Sequence, residues 1–242
     1  MQIIPASDYA DMSRKAARII AAQVKLKPQS VLGLATGSTP IGTYKELIRF
    51  HHDEELDFSQ VTSVNLDEYY GLSPEHDQSY RFFMRTNLFD HINIDVERTH
   101  VPDGLAKDIE KSCSDYDALV TELGGTDIQV LGIGDNGHIA FNEPDDYFHA
   151  ETHLVDLDQK TIKANARFFE SEADVPRQAI TMGMRSILNS RLILMLASGA
   201  GKAYAIERML QGPVDPQLPA SILQLHQNVM LIADQVALSL LD

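Results

Sequence analysis

Cysteine is almost absent from this sequence, and long apolar runs are missing altogether. Cys113 is the one cysteine in 242 residues, which excludes an internal disulfide and favours a reducing, cytoplasmic location. The N-terminus has no basic segment followed by an apolar core, so we expect no signal peptide. No apolar stretch approaches the roughly 20 residues that span a bilayer. These absences argue against secreted and membrane-spanning proteins.

Positive charge is also scarce. The chain has 20 Lys and Arg against 35 Asp and Glu, a formal net charge of −15. A nucleic-acid-binding protein needs a basic face to neutralise phosphates, so we expect no nucleic-acid partner. We likewise expect no binding to an anionic membrane surface. A small anionic substrate is compatible with this charge only if its site is locally positive.

Apolar segments of strand length alternate with segments of helical periodicity along the whole chain. Such alternation predicts an α/β fold: one Rossmann-like, doubly wound domain over residues 1–242, with a mostly parallel sheet and helices on both faces. Residues 145–175 are polar and poorly periodic, and we expect a lid-like excursion there. Residues 180–188 look partly helical. The predicted strands lie near 1–6, 31–35, 61–66, 99–101, 128–131, 191–197 and 228–233; the predicted helices lie near 8–27, 40–52, 79–89, 108–123 and 202–210 and at the C-terminus.

The stretch 128–144 has the clearest pattern of a site. An apolar strand runs into Gly-x-Gly-x-x-Gly, and Asn136, His138 and Glu143 follow closely. In a parallel sheet, ligands bind beyond the carboxyl ends of the strands. A dinucleotide-binding loop should open a helix, but His138 and Glu143-Pro144 interrupt this pattern, which disfavours a nucleotide.

Three hydroxyl side chains and a glycine follow the strand near 31–35. The loop 36–39 and Pro40 predict an anion cradle at a helix start, suited to phosphate. The alternative is an ordinary helix start capped by Thr39. The segment lacks the Walker pattern. Lys202 could contact a phosphate, form a Schiff base or simply be solvated.

Asp67 and Glu68 follow the strand near 61–66. They could supply a general base or a metal ligand, or lie in a solvated loop. Arg167 could clamp a phosphate or lie over apolar surface. His149 and His153 have the spacing of one helix face, but two such ligands without a third are weak evidence, so we expect no metal.

These segments resemble, in order and over nearly the whole chain, the motifs of the glucosamine-6-phosphate deaminase family. The related 6-phosphogluconolactonases share the phosphate loop and a Gly-His motif, but continue after the histidine with Thr-Ala-Ser-Leu-Phe-Pro. This chain has Ile-Ala-Phe-Asn-Glu-Pro there, which favours the deaminase. The segments that carry the resemblance are LATGSTP at 34–40, NLDEY at 65–69, GIGDNGHIAFNEP at 132–144, NARFF at 165–169, GK at 201–202 and LQLH at 223–226.

The resemblance implies conversion of glucosamine 6-phosphate and water to fructose 6-phosphate and ammonia, without a cofactor. His138 is then the acid/base that opens the sugar ring, and Asp67 moves a proton from C2 to C1. Glu143 and Asn136 orient and tune His138. The same resemblance assigns the substrate phosphate to Thr36, Gly37, Ser38, Thr39, Arg167 and Lys202.

Two departures from the family pattern carry further expectations. Some members have Asp at the position of Asn136, so we predict that Glu143 does more to stabilise the His138 cation here. Allosteric, hexameric members have Arg and Lys in the segment matching 146–155, which is acidic here, and their C-terminal tail is longer. We therefore expect a non-allosteric monomer or small homo-oligomer. The alternatives are a lactonase-like hydrolase and a non-catalytic sugar-phosphate sensor.

Overall fold

The structure, a computed structural model, describes residues 1–241, apart from the side chain of Ala164. Strands and helices alternate as predicted over most of the chain. The strands are Gln2–Ala6 (β1), Val31–Leu34 (β2), Thr62–Asn65 (β3), Asp67–Tyr69 (β4), Thr99–His100 (β5), Ile128–Leu131 (β6), His153–Asp156 (β7), Gln178–Thr181 (β8), Ile193–Ala197 (β9) and Val229–Asp234 (β10). The α-helices are Tyr9–Leu26 (α1), Ile41–Glu54 (α2), Tyr80–Asn87 (α3), Ile109–Glu122 (α4), Gln159–Asn165 (α5), Met184–Leu188 (α6) and Ala203–Gln211 (α7).

Seven strands form the main sheet, in the order β1-β10-β9-β6-β2-β3-β5, with every pair parallel. All residues of β2, β6 and β9 are buried, and Gln129 is the one polar residue among them, as expected for the covered strands of a parallel sheet. The chain proceeds from β2 to one edge and from β6 towards the other. α1 packs against α2 and against β9 and β10. Since crossovers between parallel strands are right-handed as a rule, this strand order places α1 and α2 on one face and α4 and α7 on the other. The predicted α/β fold is confirmed.

The reversal of direction between β2 and β6 positions the site. Ligands in open α/β sheets bind at such a switch point, beyond the carboxyl ends of the strands. The loop 36–39 follows β2, and the turn that carries His138 follows β6. The fold therefore brings these two predicted segments to one crevice.

A second sheet of three antiparallel strands, β4-β8-β7, was not predicted. Asp67, expected just beyond the strand near 61–66, begins β4 and pairs with Thr181 of β8. Leu66 joins the two sheets, and its carbonyl accepts from the Met182 N–H at 2.7 Å. Residues 180–188, expected to be partly helical, start in β8 before α6. These strands have three or four residues each and pair across long sequence separations, so periodicity alone could not reveal them.

The excursion 145–175 contains β7 and α5 and has its own small core. Leu157, Ile162 and Val175 pack with Tyr69 and Phe141. The short helix expected at the C-terminus is not found within the described residues, since 235–240 form turns. No helix among residues 1–241 is both long and apolar enough to cross a membrane.

Candidate active site

The loop 36–39 has the backbone of an anion cradle. Gly37 has a φ of +83°, a left-handed conformation that strongly favours glycine. Pro40 occupies the N-cap of α2 and makes no side-chain capping hydrogen bond, so Thr39 is not the cap that the alternative interpretation required. No side chain of the loop itself caps this helix start, which leaves room for an anion at the N–H groups of the loop.

Two side chains from elsewhere in the fold hold this loop. The Tyr9 hydroxyl donates to the Ser38 carbonyl at 3.0 Å and accepts from the Gly42 N–H at 2.8 Å. The Arg167 guanidinium donates to Ser38 Oγ at 3.2 Å, across 129 residues of sequence. Arg167 also lies over the Phe168 ring, 4.7 Å from its centroid. Its contact with Ser38 places a fixed positive charge at the loop.

Lys202 contributes a second cation at the same edge of the main sheet. Its Nζ lies 2.6 Å from Oδ1 of Asp135, in the turn after β6. Asp135 is largely exposed whereas Lys202 is three-quarters covered. Asp135 thus holds Lys202 against the turn that carries His138.

His138, Glu143 and Asn136 form one hydrogen-bonded group. His138 Nδ1 lies 3.2 Å from Glu143 Oε2, and Asn136 Nδ2 donates to the same oxygen at 2.7 Å. The Asn136 side-chain oxygen accepts the His138 backbone N–H at 3.2 Å. Because a carboxylate only accepts, this contact assigns the proton to Nδ1 and leaves Nε2 for a substrate.

Glu143 is a buried carboxylate kept ionised by its partners. Burial alone would raise its pKa, but hydrogen bonds and charge from His138, with hydrogen bonds from Thr161 and Asn136, outweigh burial and lower the pKa below its usual 4.5. The Thr161 hydroxyl donates to Glu143 Oε1 at 2.5 Å. Both carboxylate oxygens are therefore occupied by donors.

Gly134 allows the His138 ring to fold back on its own turn. A Cβ at this position would lie 2.4 Å from the ring. The Gly134 N–H also donates to the His138 carbonyl at 2.9 Å. Gly134 thus permits close packing of the histidine, which explains this glycine without a dinucleotide.

Asp67 is buried at the start of β4, only 6 % exposed. Burial raises its pKa to about 8, and the charge of the neighbouring Glu68 adds to that shift. A carboxyl group with such a pKa is matched to proton transfer near neutral pH. The solvated-loop interpretation of this dipeptide is wrong.

Glu68 holds the start of α3 through hydrogen bonds to backbone N–H groups. Its carboxylate accepts the backbone N–H groups of Tyr69, Tyr80 and Arg81, at 2.8, 2.8 and 3.0 Å. Burial raises its pKa to about 7, although these three donors oppose the shift. Glu68 therefore fixes the start of α3 while it raises the pKa of Asp67.

The second sheet brings Asp67 and the turn of His138 together. Thr181, the backbone partner of Asp67, accepts the Phe141 N–H at its Oγ1, 3.0 Å away. The Asn142 side chain donates to the Met182 carbonyl at 2.9 Å. Segment 138–143 is thereby tied to the strand pair that presents Asp67.

Aromatic side chains, which sequence reasoning missed, cover a cavity beside the loop 36–39, and of the predicted site residues only Gly37 lines it. Tyr69 lies 5.6 Å from Phe141 and 4.9 Å from Tyr80, measured between ring centroids. Asn165 Nδ2 donates to the Tyr69 hydroxyl at 2.9 Å. The only sequence signal was that Tyr69 and Asn165 lie inside motif segments. The cavity is lined by Gly37, Tyr69, Asp77, Gln78, Ser79, Tyr80, Phe83, Asn165, Phe168 and Phe169.

His149 and His153 do stack, with ring centroids 4.1 Å apart, but in a loop and β7 and not on one helix. His149 Nε2 contacts Asp145 Oδ2 at 3.0 Å. Within the described part of the chain, no three His, Cys, Asp or Glu residues are grouped so that they could hold a metal ion.

The chain is similar to known proteins over nearly its whole length. The model of the family described as glucosamine-6-phosphate isomerases/6-phosphogluconolactonase matches residues 6–232. A glucosamine-6-phosphate deaminase of Lachnoclostridium phytofermentans is 61 % identical over 232 residues, which cover 96 % of this chain and 98 % of that protein. A deaminase of the same name from Clostridium perfringens is 54 % identical over 241 residues, with full coverage of both chains.

Two solved structures superpose on nearly the whole chain. A monomeric glucosamine-6-phosphate deaminase superposes with a TM-score of 0.97 at 49 % identity, covering 99 % of this chain and 100 % of that chain. The 6-phosphogluconolactonase of Thermotoga maritima superposes with a TM-score of 0.75 at 21 % identity, covering 97 % and 99 %. The second similarity extends to the fold alone.

Proposed function

The chain belongs to the family of glucosamine-6-phosphate isomerases and 6-phosphogluconolactonases, and from this we propose that it is the enzyme that deaminates glucosamine 6-phosphate. The products are fructose 6-phosphate and ammonia, and no cofactor takes part. The resemblance drawn from the motifs is confirmed at the level of family. The single observation that carries the reaction type is a buried, weakly acidic Asp67 tied to the turn of an oriented His138 beside an anion-binding loop.

Ring opening comes first. His138 Nε2 takes the proton of the C1 hydroxyl and delivers it to the ring oxygen of the pyranose, so that the bond between C1 and the ring oxygen breaks and the open-chain aldehyde forms. Glu143 and Asn136 keep the ring of His138 in the required tautomer and orientation. The charge of Glu143 stabilises the imidazolium form of His138.

Proton transfer between neighbouring carbons follows. Asp67, in its ionised form, takes the proton from C2 while the C1 aldehyde oxygen gains a proton, which gives an enediolamine. Asp67 then delivers its proton to C1. The product is a 2-imino ketose, to which water adds at C2 before ammonia leaves. Burial suits Asp67 to this task, because a desolvated carboxylate is the stronger base.

The phosphate is bound at the loop after β2. Thr36, Gly37, Ser38 and Thr39 supply hydroxyl and N–H donors, and Arg167 and Lys202 supply charge. Arg167 already contacts Ser38, and Lys202 exchanges Asp135 for the phosphate. Two cations at a helix start are what an anionic ligand needs inside a chain with a net charge of −15.

Ammonia release from glucosamine 6-phosphate tests the proposal. We expect turnover by the wild type, and we expect Asp67→Asn to abolish it while phosphosugar binding is retained. Asp115→Asn, on the exposed surface of α4, is the matched control and should stay active. Hydrolysis of 6-phosphogluconolactone without ammonia release would point to the lactonase, and binding without any turnover would point to a sensor.

A further inference from the structure

One short segment, residues 161–167, reaches the site at three separate points. Thr161 donates to Glu143, Asn165 donates to Tyr69, and Arg167 donates to Ser38. These partners belong to the acid/base group, the aromatic wall and the phosphate loop. The segment thus lies across the whole site.

Thr161 is held firmly in place by its own element. It stands in the first turn of α5, which Asp158 caps through the Lys160 N–H. Its neighbour Ile162 is 3 % exposed and packs in the small core with Tyr69 and Phe141. Thr161 itself is only 5 % exposed. Its hydroxyl therefore has a fixed position.

The Glu143 carboxylate has two oxygens with different partners. Oε2 accepts from Asn136 and faces His138 Nδ1, whereas Oε1 accepts from Thr161. If the hydroxyl is removed, a buried charged oxygen has lost its donor and the carboxylate is free to turn about its last bond. His138 then loses the acceptor that fixes its tautomer.

We propose that Thr161 is a positioning residue, which fixes Glu143 and through it His138 for ring opening. Arg167 lies on the same segment, so the group that grips the phosphate and the group that orients the acid/base pair move together. This inference rests on the proposed deaminase function. It also gives residues 145–175 a role in catalysis beyond covering the site.

The test compares Thr161→Val with Thr161→Ser in the full-length enzyme. Val has nearly the shape of Thr but no hydroxyl, whereas Ser keeps the donor. We expect Thr161→Val to lower kcat for ammonia release on the order of tenfold, the usual effect of losing one hydrogen bond to a charged group. KM should change less than twofold, because the phosphate contacts are intact, and Thr161→Ser should recover most of kcat.

Thr152→Val is the matched control. The Thr152 hydroxyl also donates to a carboxylate, Asp117 Oδ1 at 2.6 Å, and this carboxylate accepts from Thr152 and Ser186, neither of which is a proposed site residue. Thr152→Val should lower the unfolding temperature as Thr161→Val does, but it should leave kcat unchanged. Ring ¹⁵N shifts of His138 give a second readout: we expect the Nδ1–H tautomer in the wild type and Thr161→Ser, and a tautomer mixture in Thr161→Val. If Thr161→Val does not fold, Thr161→Ala removes the same hydroxyl.

The outcomes separate the two proposals. An inactive wild type overturns the deaminase function itself. An active wild type with unchanged kcat and an unchanged His138 tautomer in Thr161→Val overturns only the role of Thr161. Equal losses of kcat in Thr161→Val and Thr152→Val, or no recovery with Ser, would also overturn it, since the effect would then be one of stability.

Discussion

Asp67 is a buried carboxyl group, and the second carboxylate beside it is Glu68. Burial and the charge of Glu68 both act against ionisation, so the pKa rises to about 8. Ionisation of Asp67 is unfavourable in the folded protein, and for the same reason its carboxylate is a stronger base than a solvated one. Activity and stability should therefore respond to pH in opposite directions.

We predict that kcat/KM for glucosamine 6-phosphate rises with pH through about 8. The free enzyme must lose the Asp67 proton before this carboxylate can accept one from C2. A pH profile of initial rates of ammonia release measures the effect. A profile that is flat between roughly pH 6 and 9 would contradict the assignment of Asp67 as the base.

Stability should fall over the same range. The Asp67 pKa is 3.8 as a free side chain and about 8 when folded, so the folded state holds this proton more tightly. Its contribution to the free energy of unfolding is complete below the lower value and is lost as the pH rises through the higher one. Urea unfolding at several pH values should show Asp67→Asn to be more stable than the wild type in alkaline buffer, by on the order of 1–3 kcal/mol.

Glu143→Gln tests the charge beside His138. Gln can still accept a hydrogen bond at its carbonyl oxygen but has no charge to stabilise an imidazolium ion, and it brings an amide NH2 group next to existing donors. We predict that kcat falls roughly 10- to 100-fold while KM changes little. Glu172→Gln, at an exposed carboxylate that accepts from Gln159, is the control and should have no effect. Unchanged turnover in Glu143→Gln would leave Asn136 as the main partner of His138.

At the scale of elements, the turn after β6 is shaped around one ring. Gly134→Ala would place a methyl group 2.4 Å from the His138 ring, which must then move. We predict a large loss of kcat with near-normal phosphosugar binding, because Ser38 and Arg167 are untouched. Turnover kinetics and calorimetric binding separate the two effects. Full activity in this variant would show that the ring position is not critical.

For Arg167, in the segment that follows α5, we expect the main effect on KM and not on kcat. Arg167→Ala removes the guanidinium at Ser38, and we expect KM to rise about 10- to 100-fold with a smaller change in kcat. Arg177→Ala, an exposed arginine just before β8, is the matched control for loss of one positive charge. Equal rises in KM for both variants would show that the effect comes only from the loss of one positive charge and not from the contact with Ser38.

Long elements and the contiguous motifs were predictable from the sequence, whereas short paired strands were not. α1 and α4 begin after the capping residues Asp8 and Asp108, close to their predicted starts. β4, β7 and β8 have three or four residues and no strong alternation. The pairing of β4 with β8 links residues more than 100 positions apart, such as Asp67 and Thr181, and no local pattern records it.

At the scale of the whole molecule, every residue proposed for the site comes from one chain. We therefore predict that the monomer is fully active and that its substrate saturation curve is hyperbolic. Light scattering coupled to gel filtration should give a mass near 26.9 kDa, and kinetics should not respond to N-acetylglucosamine 6-phosphate. A sigmoidal curve that this sugar phosphate makes hyperbolic would contradict the prediction.

The sequence by itself determined which chemical groups are present and the order in which they occur. The hydroxyl loop at 36–39 and the His138–Glu143 pair are local, so their residue types and spacing already indicate their chemistry. Only the tertiary structure decided that Asp67 is buried and a weak acid, that Thr161 donates to Glu143, and that Arg167 reaches Ser38. Burial and such contacts depend on chain segments far apart in sequence, and their free energies exist only once those segments have packed together.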